Sequence, residues 1–536
     1  MKSSFDYIIV GAGSAGCVLA HRLSQDPSVE VLLIEAGGQD WNPFIHMPAG
    51  LSKLINFKSL NWNYHTEPQT ELHGRRLYWP RGRVLGGSSA INAMCFSRGH
   101  PSDYDDWAGL GNVGWGWSDV LPYFKRSQHQ ARGEDAFHGV GGPLSVEDLR
   151  FVNPLSDVFI EAAAQAGFPK NSDFNGATQE GFGRYQVTQR NGRRCSTAVG
   201  YLAPAKQRPN LTILTRALTQ RVFFDGDRAA GVLFKKRGRV SSVQARSEVI
   251  IAAGAINSPQ LLMLSGVGPA AMLEPHGISV VADRGEVGQN LQDHLDICTL
   301  TRCSQPVTYD RLNEVKVGLN YFLRGQGEGT SNIAEAGGFV VSGRHSDDRP
   351  DIQMHFVPAW LDDHGRNRLP GHGYTLHACP LRPQSRGHLA IQSADPAQPI
   401  AIHANYLSAP DDLESMLDCL EISRDILSQP AFKPFQAGEL MPGDALRSRD
   451  ALIDYIRRKA ETIYHPVGTC RMGSDEASVV DPELRVRGVR GLRVVDASIM
   501  PTLTGGNTNA PTVMIAEKAA DFILQAADFA ADHAVR

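Results

Sequence analysis

The sequence lacks the features that mark several large classes of protein. Its 53 Lys and Arg residues nearly balance 57 Asp and Glu residues, for a net charge of −4, so it has no basic field for a nucleic acid and no polybasic membrane patch. The longest uncharged run, Val249 to Leu273, is interrupted by Pro259 and Gly266. A bilayer span needs about 20 mainly apolar residues, and we therefore interpret this run as a buried segment.

The amino terminus also lacks an apolar run of signal-peptide length. The eight cysteines are scattered without a C-x-x-C pair, which favours reduced thiols. We expect a cytoplasmic protein, either soluble or peripheral at the inner membrane, with no nucleic-acid partner.

The motifs HExxH, GxSxG and Walker A are missing, which argues against a zinc hydrolase, a serine hydrolase and a P-loop enzyme. We predict no metal site.

The remaining composition is that of a globular protein large enough for three or four domain-sized units. The chain has 536 residues, of which 42% are hydrophobic and 21% charged, close to ordinary globular usage. No internal repeat or low-complexity linker divides it.

The first 35 residues have the pattern of a β-α-β unit. An apolar strand, Phe5 to Val10, is followed directly by the sequence GAGSAG at positions 11–16 and then by helical spacing of apolar residues. A second apolar strand, Val29 to Ile34, ends at Glu35. A GxGxxG motif in this context predicts a dinucleotide site, with a carboxylate for the ribose hydroxyls. The alternative is a glycine-rich turn without a ligand.

The three glycines of this motif have distinct expected roles. Gly11 allows the tight turn, Gly13 lets the backbone approach a pyrophosphate at the positive end of the helix, and Gly16 lets the helix pack on the strand. The negative charge of Glu35 would repel a 2′-phosphate, which disfavours NADP. A second GxGxxG, at positions 109–114, has no strand before it and is predicted to be a loop.

A second glycine cluster, Trp79 to Met94, combines two Arg, three Gly and two Ser before a run of small residues. Such a segment can pack its backbone against a flat ring and direct N–H groups at an anion. It can equally be a structural turn between layers, and composition does not separate the two.

Later strands and helices suggest that the nucleotide fold is split along the sequence. We predict strands at 210–214, 221–224, 229–234, 248–253 and 492–495, and helices at 260–264, 411–427 and 511–524. Residues 300–450 have the pattern of a mixed unit inserted between parts of that fold. The predicted class is α/β.

At this point the sequence resembles the glucose-methanol-choline (GMC) family of FAD-dependent oxidoreductases. Residues 82–92 resemble the first family signature and residues 254–268 match the second throughout; residues 287–294 and 507–512 are also similar. The resemblance implies a split Rossmann-like FAD-binding domain at 1–155, 201–300 and 459–536. It also implies a substrate domain, an antiparallel sheet flanked by helices, at 156–200 and 301–458.

Within the family the chain is most similar to bacterial dehydrogenases of aliphatic primary alcohols, and it shares many stretches with choline dehydrogenases. Some members attach the flavin through a His just before the position of Asn92; Ile91 stands there, which implies non-covalent FAD. The resemblance implies oxidation of medium-chain aliphatic or arylmethyl alcohols to aldehydes, with electrons passed to a quinone-type acceptor. With a single nucleotide fold, a nicotinamide partner is not expected.

Two alternatives remain open at this stage: choline as substrate, which would need an aromatic cage, and a lyase of the family whose FAD is structural. Oxygen also remains open as the electron acceptor.

The resemblance also implies a catalytic pair. His465, which precedes Pro466, corresponds to the catalytic base of the family. A second family position, 44 residues further on, is His or Asn, and here it is Asn509, whose amide can bond the substrate oxygen. Asp496 is expected to bind the ribityl chain of the flavin, or else to cap a helix.

The residues expected at the cofactor are Gly11, Gly13, Ser14, Ala15, Gly16, Glu35, Ala36, Arg83, Val84, Gly87, Ser88, Asn92, Ala93, Met94, Val222, Ala253, Gly254, Tyr464, Asp496, Ala497, Asn509 and Thr512. The residues suggested for the substrate are Glu335, Phe339, Phe356 and Trp360. Glu335 could instead have a structural role, and the three aromatic residues could belong to the core.

Overall fold

The computed structural model describes residues 2–367 and 369–534, with side chains through residue 527, and it contains two seven-stranded sheets. The first sheet is built from strands that are far apart in the sequence. They are β1 (Ser4–Val10), β2 (Val31–Ile34), β4 (Leu211–Leu214), β5 (Ala217–Asp225), β6 (Arg228–Lys236), β7 (Arg239–Ile251) and β14 (Leu492–Val494). Their order is β4-β2-β1-β7-β6-β5, and β14 also pairs with β7.

The long strand β7 joins a parallel half of this sheet to an antiparallel half. Its first residues pair antiparallel with β6, whereas Val249–Ile251 pair parallel with both β1 and β14. Every residue of β2 is buried, as expected for a parallel strand covered on both faces. Helices α1 (Ser14–Leu23) and α5 (Gly254–Leu264) pack on this sheet, and α9 (Asn509–Ala534) packs on α1.

The second sheet is antiparallel throughout. Its strands are β3 (Gly181–Arg184), β8 (Leu295–Cys303), β9 (Ala336–Val340), β10 (Ile352–Val357), β11 (Gly373–Pro380), β12 (Gln436–Met441) and β13 (Glu461–Thr462). Their order is β12-β8-β11-β10-β9-β3, and the short strand β13 pairs with β8. Helices α4 (Pro154–Gln165) and α7 (Pro410–Ser428) pack against it.

Four further helices of at least nine residues lie among the described residues: α2 (Pro101–Gly109), α3 (Trp117–Ser127), α6 (Glu314–Arg324) and α8 (Arg449–Lys459). The second GxGxxG, at 109–114, is the end of α2 and the turn after it. In the described part of the chain, no helix has the length and hydropathy of a membrane span.

The domain division by residue number stays a prediction, but strand β8 runs across its boundary at residue 300.

The helix predicted at 260–264 begins six residues earlier, at Gly254, and includes Pro259. Proline has no N–H for the carbonyl of Ala255, and the hydroxyl of Thr469 donates to that carbonyl at 2.6 Å instead. This replacement explains why the helix passes through a residue that normally ends one.

The packing of α1 on β1 depends on Gly16. A Cβ atom at position 16 would lie 1.8 Å from the carbonyl oxygen of Gly11, so a larger residue must push the helix away from the turn. At Gly109, in the second motif, an added Cβ would meet nothing within 4 Å.

We therefore expect Gly16→Ala to lower the melting temperature, by the equivalent of about 1–3 kcal/mol for an overpacked site, and to lower the flavin content. Gly109→Ala is the control and should change neither. Thermal unfolding and the flavin absorbance of the purified proteins measure both effects; equal behaviour of the two variants would contradict the packing argument.

Candidate active site

A cavity of about 390 Å³ extends from the glycine loop after β1 to His465, and residues from both sheets line it. At the nucleotide end, α1 begins at Ser14 without a side-chain cap, and Gly13, Ser14 and Ala15 line the cavity. The first N–H groups of a helix need partners, and together with the helix dipole they form an anion site. This end of the cavity suits a pyrophosphate.

Glu35 supplies the carboxylate expected beside a ribose. It is buried and lines the cavity, and its two oxygens accept N–H groups from Ala12 at 2.9 Å and from Gly37 at 2.7 Å. Burial raises the pKa of this carboxyl. Each oxygen keeps a lone pair for a further donor, so a ribose hydroxyl fits here.

The second glycine cluster packs directly on the nucleotide loop. A Cβ atom at Gly87 would lie 2.6 Å from the Cα of Gly13, so only glycine allows this approach. Four residues that follow line the cavity as expected: Ser88, Asn92, Ala93 and Met94.

Three of the expected cofactor residues do not line the cavity. Val84 is buried in a small cluster with Ile45 and Leu54, and the guanidinium of Arg83 lies over the ring of Trp62, 4.6 Å from its centroid. Val222 is also buried, and its N–H donates to Ser265.

The correct wall residues near these positions are Arg81 and Gly82 in the second glycine cluster, and Ala217, Leu218 and Thr219 at the start of β5. Strand β5 is longer than predicted, so the stretch that faces the cavity lies before Val222.

The carboxylate of Asp496 joins the ends of two segments and also lines the cavity. One oxygen accepts the N–H of Ser498 at 2.8 Å, and the other accepts the N–H of Gly254 at 2.8 Å and the hydroxyl of Ser258 at 2.5 Å. Asp496 therefore caps a turn and lies on the cavity wall, so the two roles considered from sequence do not exclude each other. Ala36, Ala253, Ala497 and Thr512 line the same region.

His465 lies at the other end of the cavity, on a segment fixed by Asp293. One oxygen of the buried Asp293 carboxylate accepts the N–H of His465 at 2.7 Å, and the other accepts the hydroxyls of Thr462 and Tyr406. Tyr464 has a positive φ of 72°, which is strained for a residue with a side chain, and its carbonyl accepts a bond from Arg81 at 2.6 Å. The backbone before the imidazole is thus held in an unusual conformation.

A chain of hydrogen bonds determines which ring nitrogen of His465 is basic. His294 Nε2 faces the carbonyl oxygen of Leu381 at 3.2 Å, so this nitrogen must carry the proton. Its Nδ1 is then an acceptor, and His465 Nδ1, 3.0 Å away, must be the donor. The lone pair of His465 is therefore on Nε2, which faces Asn507.

Asn507, and not Asn509, is the amide beside His465. Asn507 Nδ2 lies 3.2 Å from His465 Nε2, and its Oδ1 accepts a bond from Gln353 at 3.0 Å, which fixes the orientation of the amide. Asn509 is the first residue of α9, and its Oδ1 accepts the hydroxyl of Ser14 at 2.8 Å. The pairing predicted from a spacing of 44 residues is wrong by two positions.

Burial keeps the imidazoles at this end neutral. It lowers the pKa of His465 well below its usual value, and the neighbouring His294 and His355 reinforce the effect. Burial also lowers the pKa of His294 to about 4 and that of His355 to about 3. His465 is therefore available as a base near neutral pH.

None of the four residues suggested for the substrate lines the cavity. The carboxylate of Glu335 is fully buried and accepts bonds from the N–H of Asn153 and the hydroxyls of Ser156, Ser331 and Tyr309. It therefore anchors the start of α4, which is the structural alternative.

The three aromatic residues belong to the core. Phe339 packs with Phe174 and Tyr185, and Phe356 stacks on Phe159 at 4.8 Å. Trp360 covers Gly373, where a Cβ would lie 2.4 Å from the indole. Phe356 alternates along β10 with the cavity-lining His355 and Val357, so its side chain points to the other face of the sheet.

The cavity wall near His465 instead combines small apolar groups with ionisable ones. Ile333, Val357 and Leu361 provide the apolar part, and Asp296, His355, His364, His377 and Glu461 the polar part. Asp296 Oδ2 bonds His377 Nδ1 at 2.5 Å, and the charge of Asp296 raises the pKa of His377 although burial opposes it.

Sequence reasoning missed Asn507, Asp293 and His294, and it missed the two carboxylates of the cavity wall, Asp296 and Glu461. Asn507 and the Asp293-His294 pair lie within stretches already matched to the family, but their contacts join segments more than 40 residues apart. One signal for Asn507 was present: Pro511 marks the first turn of α9, which places Asn509 at a helix start and leaves Asn507 on the loop before it. For Asp296 and His377 only the strand pairing of β8 with β11 shows the contact.

Comparison with known proteins agrees with this architecture. Two GMC oxidoreductase family models, one amino-terminal and one carboxy-terminal, match residues 5–296 and 383–516. The chain is 51% identical to an alcohol dehydrogenase (acceptor) of Pseudomonas putida, over 98% of this chain and 97% of that one. It is 46% identical to the mitochondrial choline dehydrogenase of Homo sapiens, over 97% of this chain and 90% of that one.

Among solved structures, a formate oxidase variant of Aspergillus oryzae, studied for the modification of its FAD, aligns with a TM-score of 0.91 and 27% identity, over 97% of this chain and 98% of that one. The uncapped α1, the buried Glu35 and the close contact of Gly87 with Gly13 fit that cofactor. The chain belongs to the GMC oxidoreductase family, and its cofactor is FAD.

Proposed function

We propose that this protein oxidises primary alcohols, of medium-chain aliphatic or arylmethyl type, to aldehydes and passes the electrons to a quinone-type acceptor. The observation that carries the proposal is the lone pair of His465 Nε2, which faces the amide of Asn507 at the wall of the cavity. The name of the Pseudomonas putida relative, an alcohol dehydrogenase (acceptor), supports the same reaction class.

The two side chains have complementary roles toward an alcohol. Their facing nitrogens are 3.2 Å apart, so one substrate oxygen can lie within hydrogen-bond distance of both. The hydroxyl then donates to His465 Nε2, which takes the proton, while Asn507 donates an N–H to the oxygen as negative charge develops. Bound FAD supplies the acceptor for the hydride that leaves the carbon.

The hydrogen-bond chain behind His465 prepares it for this step. When Nε2 takes a proton, the ring becomes a cation whose Nδ1–H already donates to the neutral His294. Hydrogen bonds to charged groups are stronger than those to neutral ones, so this bond gains strength as the proton arrives.

We propose that FAD is bound without a covalent bond. We also propose that the protein is cytoplasmic, either soluble or peripheral at the membrane. Ile91, at the position where some relatives carry the attaching His, has an aliphatic side chain that lines the cavity and offers no nucleophilic atom. The residues proposed to contact FAD are those of the cavity wall described above, from the glycine loop to Thr512.

Choline is the second candidate, and one observation favours it. Asp296 lines the cavity, and among the described residues its Oδ1 has no hydrogen-bond partner; a cationic head group could contact it. The human relative is a choline dehydrogenase. Against this candidate, the charge of Asp296 is already compensated by His377, and a buried cation needs paired charge or an aromatic cage.

Anaerobic mixing of the enzyme with 1-alkanols, benzyl alcohol and choline tests the proposal, because a redox enzyme bleaches its flavin and a lyase does not. We expect the largest kcat/KM with a neutral alcohol, faster turnover with a quinone analogue than with oxygen, and none with NAD. Choline as the best substrate would overturn the alcohol assignment, and oxygen consumption equal to dye reduction would overturn the acceptor assignment.

The positions of the two asparagines give a matched pair of variants. We expect His465→Ala and Asn507→Ala to slow flavin reduction, the former by about 10²–10⁴-fold, with normal FAD content. Asn509→Ala should instead weaken FAD binding, because it removes the partner of Ser14, and should leave the reduction rate of the loaded enzyme within about threefold. Rapid-mixing spectroscopy and flavin content distinguish these outcomes, and the reverse pattern would contradict the assignment.

The depressed pKa of His465 predicts an unusual acid limb. A histidine with its ordinary pKa would lose half of its base form at about pH 6.5, whereas His465 stays neutral there because burial opposes its charge. The rate of flavin reduction should therefore be constant as the pH falls through 6.5 and should decline only in more acidic buffer. Half-maximal reduction at or above pH 6.5 would show that another group is titrating.

A further inference from the structure

Helix α6 (Glu314–Arg324) carries an exposed apolar face that has no partner in the described part of the chain. Four large apolar side chains form it, and their exposed fractions are 71% for Val315, 55% for Leu319, 59% for Phe322 and 77% for Leu323. Single exposed apolar residues are common, but a contiguous group of this size marks a contact surface.

The four residues lie on one side of a helix that is fixed on its other side. An α-helix turns by about 100° per residue, and on this helix the four apolar side chains fall within a sector about 100° wide. Val317 and Tyr321 lie on the opposite side of the helix. Those two pack on Met47, and the hydroxyl of Tyr321 donates to the carbonyl of His46 at 2.8 Å. The helix therefore already has its buried face, and the exposed apolar face is a second one.

Basic groups accompany this face. Lys316 is next to it on the helix, Arg311 precedes the helix and Arg324 ends it, and all three are exposed. The acidic group at the start of the helix, Glu314, forms an ion pair with Lys53 at 2.7 Å. An exposed apolar helix face with one cation at its border and others near the two ends of the helix suits the surface of an anionic bilayer.

Helix α6 also lies beside the part of the chain that forms one wall of the cavity. Lys53, the partner of Glu314, is adjacent to Ser52, and Leu51, Ser52 and Ile55 line the cavity.

We propose that the apolar face of α6 docks the protein on an anionic lipid bilayer, with the adjacent cavity wall at the membrane side. A bilayer is favoured over a second copy of the chain because the exposed Lys316 and Arg324 are both cationic, and an anionic surface attracts both. Docking itself is independent of the reaction. Its use, which is access to a lipid-dissolved quinone, rests on the proposed function.

Sedimentation of the holoenzyme with vesicles tests the docking. The vesicles consist of phosphatidylcholine alone or mixed with phosphatidylglycerol, and the variant is Leu319→Glu with Leu323→Glu. The matched control is Val113→Glu, at a valine that is 85% exposed outside α6. We expect binding of the wild type and the control to the anionic vesicles, and binding of the double variant weaker by about tenfold or more, because interfacial affinity scales with buried apolar area.

Folding and catalysis are checked separately, since both leucines are exposed. The double variant should retain its melting temperature and its rate with a water-soluble dye, and it should lose rate only with a quinone dissolved in the vesicles. Failure of alcohol to reduce the dye in every variant would overturn the proposed function and leave the docking result intact.

Three results would overturn the docking proposal. The first is no binding of the wild type to anionic vesicles, and the second is equal binding of the wild type and the double variant. The third is a wild type that is dimeric in solution and a double variant that is monomeric, with neither protein bound to vesicles. The last would assign the face to a second copy of the chain.

Discussion

The active end of this molecule depends on the buried carboxylate of Asp293. It holds the backbone N–H of His465 and two hydroxyl groups, and burial raises its pKa to about 6. Its neighbour in sequence, His294, contacts the His465 ring. Two consecutive residues thus fix both the backbone and the tautomer of the base.

This constraint also explains the strained backbone beside the base. Tyr464 can keep a positive φ because its N–H, its carbonyl and the next N–H are each bound, to Thr462, Arg81 and Asp293. Strain of this kind persists where the surroundings over-determine it. A hydroxyl two residues away, and a guanidinium and a carboxylate from two distant segments, do so here. They place the imidazole at the wall between the two sheets.

The nucleotide half of the site could be predicted from sequence, because local backbone geometry determines it. Gly11, Gly16 and Glu35 lie within one β-α-β unit, and each has a steric or charge requirement that a few neighbouring residues reveal. The family resemblance misplaced Arg83, Val84 and Val222, because a side chain in a segment beside the cavity can point away from it. At Val222 the cause is strand β5, which begins four residues earlier than predicted. The split of the first sheet among distant segments was also visible, since each strand is a short apolar run.

The substrate half could not be predicted, because cross-strand contacts create it. For Glu335 the sequence left a pocket role and a structural role open, and the structure shows that it anchors α4. Asp296, in contrast, reaches the cavity because β8 pairs with β11 and brings it to His377. Both are buried carboxylates, and they differ in their partners: the oxygens of Glu335 are saturated by four donors, and one oxygen of Asp296 has none among the described residues.

Most of the cavity wall near His465 comes from a different part of the chain from the base and the FAD wall. The base, its amide partner and the FAD wall come from segments matched by the family models, whereas His355, Val357, Leu361, His364 and His377 belong to the stretch between the two matched regions. Half of the residues are identical to those of the alcohol dehydrogenase relative and nearly half to those of a choline dehydrogenase. Overall identity is therefore a weak guide to the substrate. Under the proposed function, the wall formed by Asp296, which ends the first matched region, and His377 is the feature expected to distinguish a neutral from a cationic alcohol.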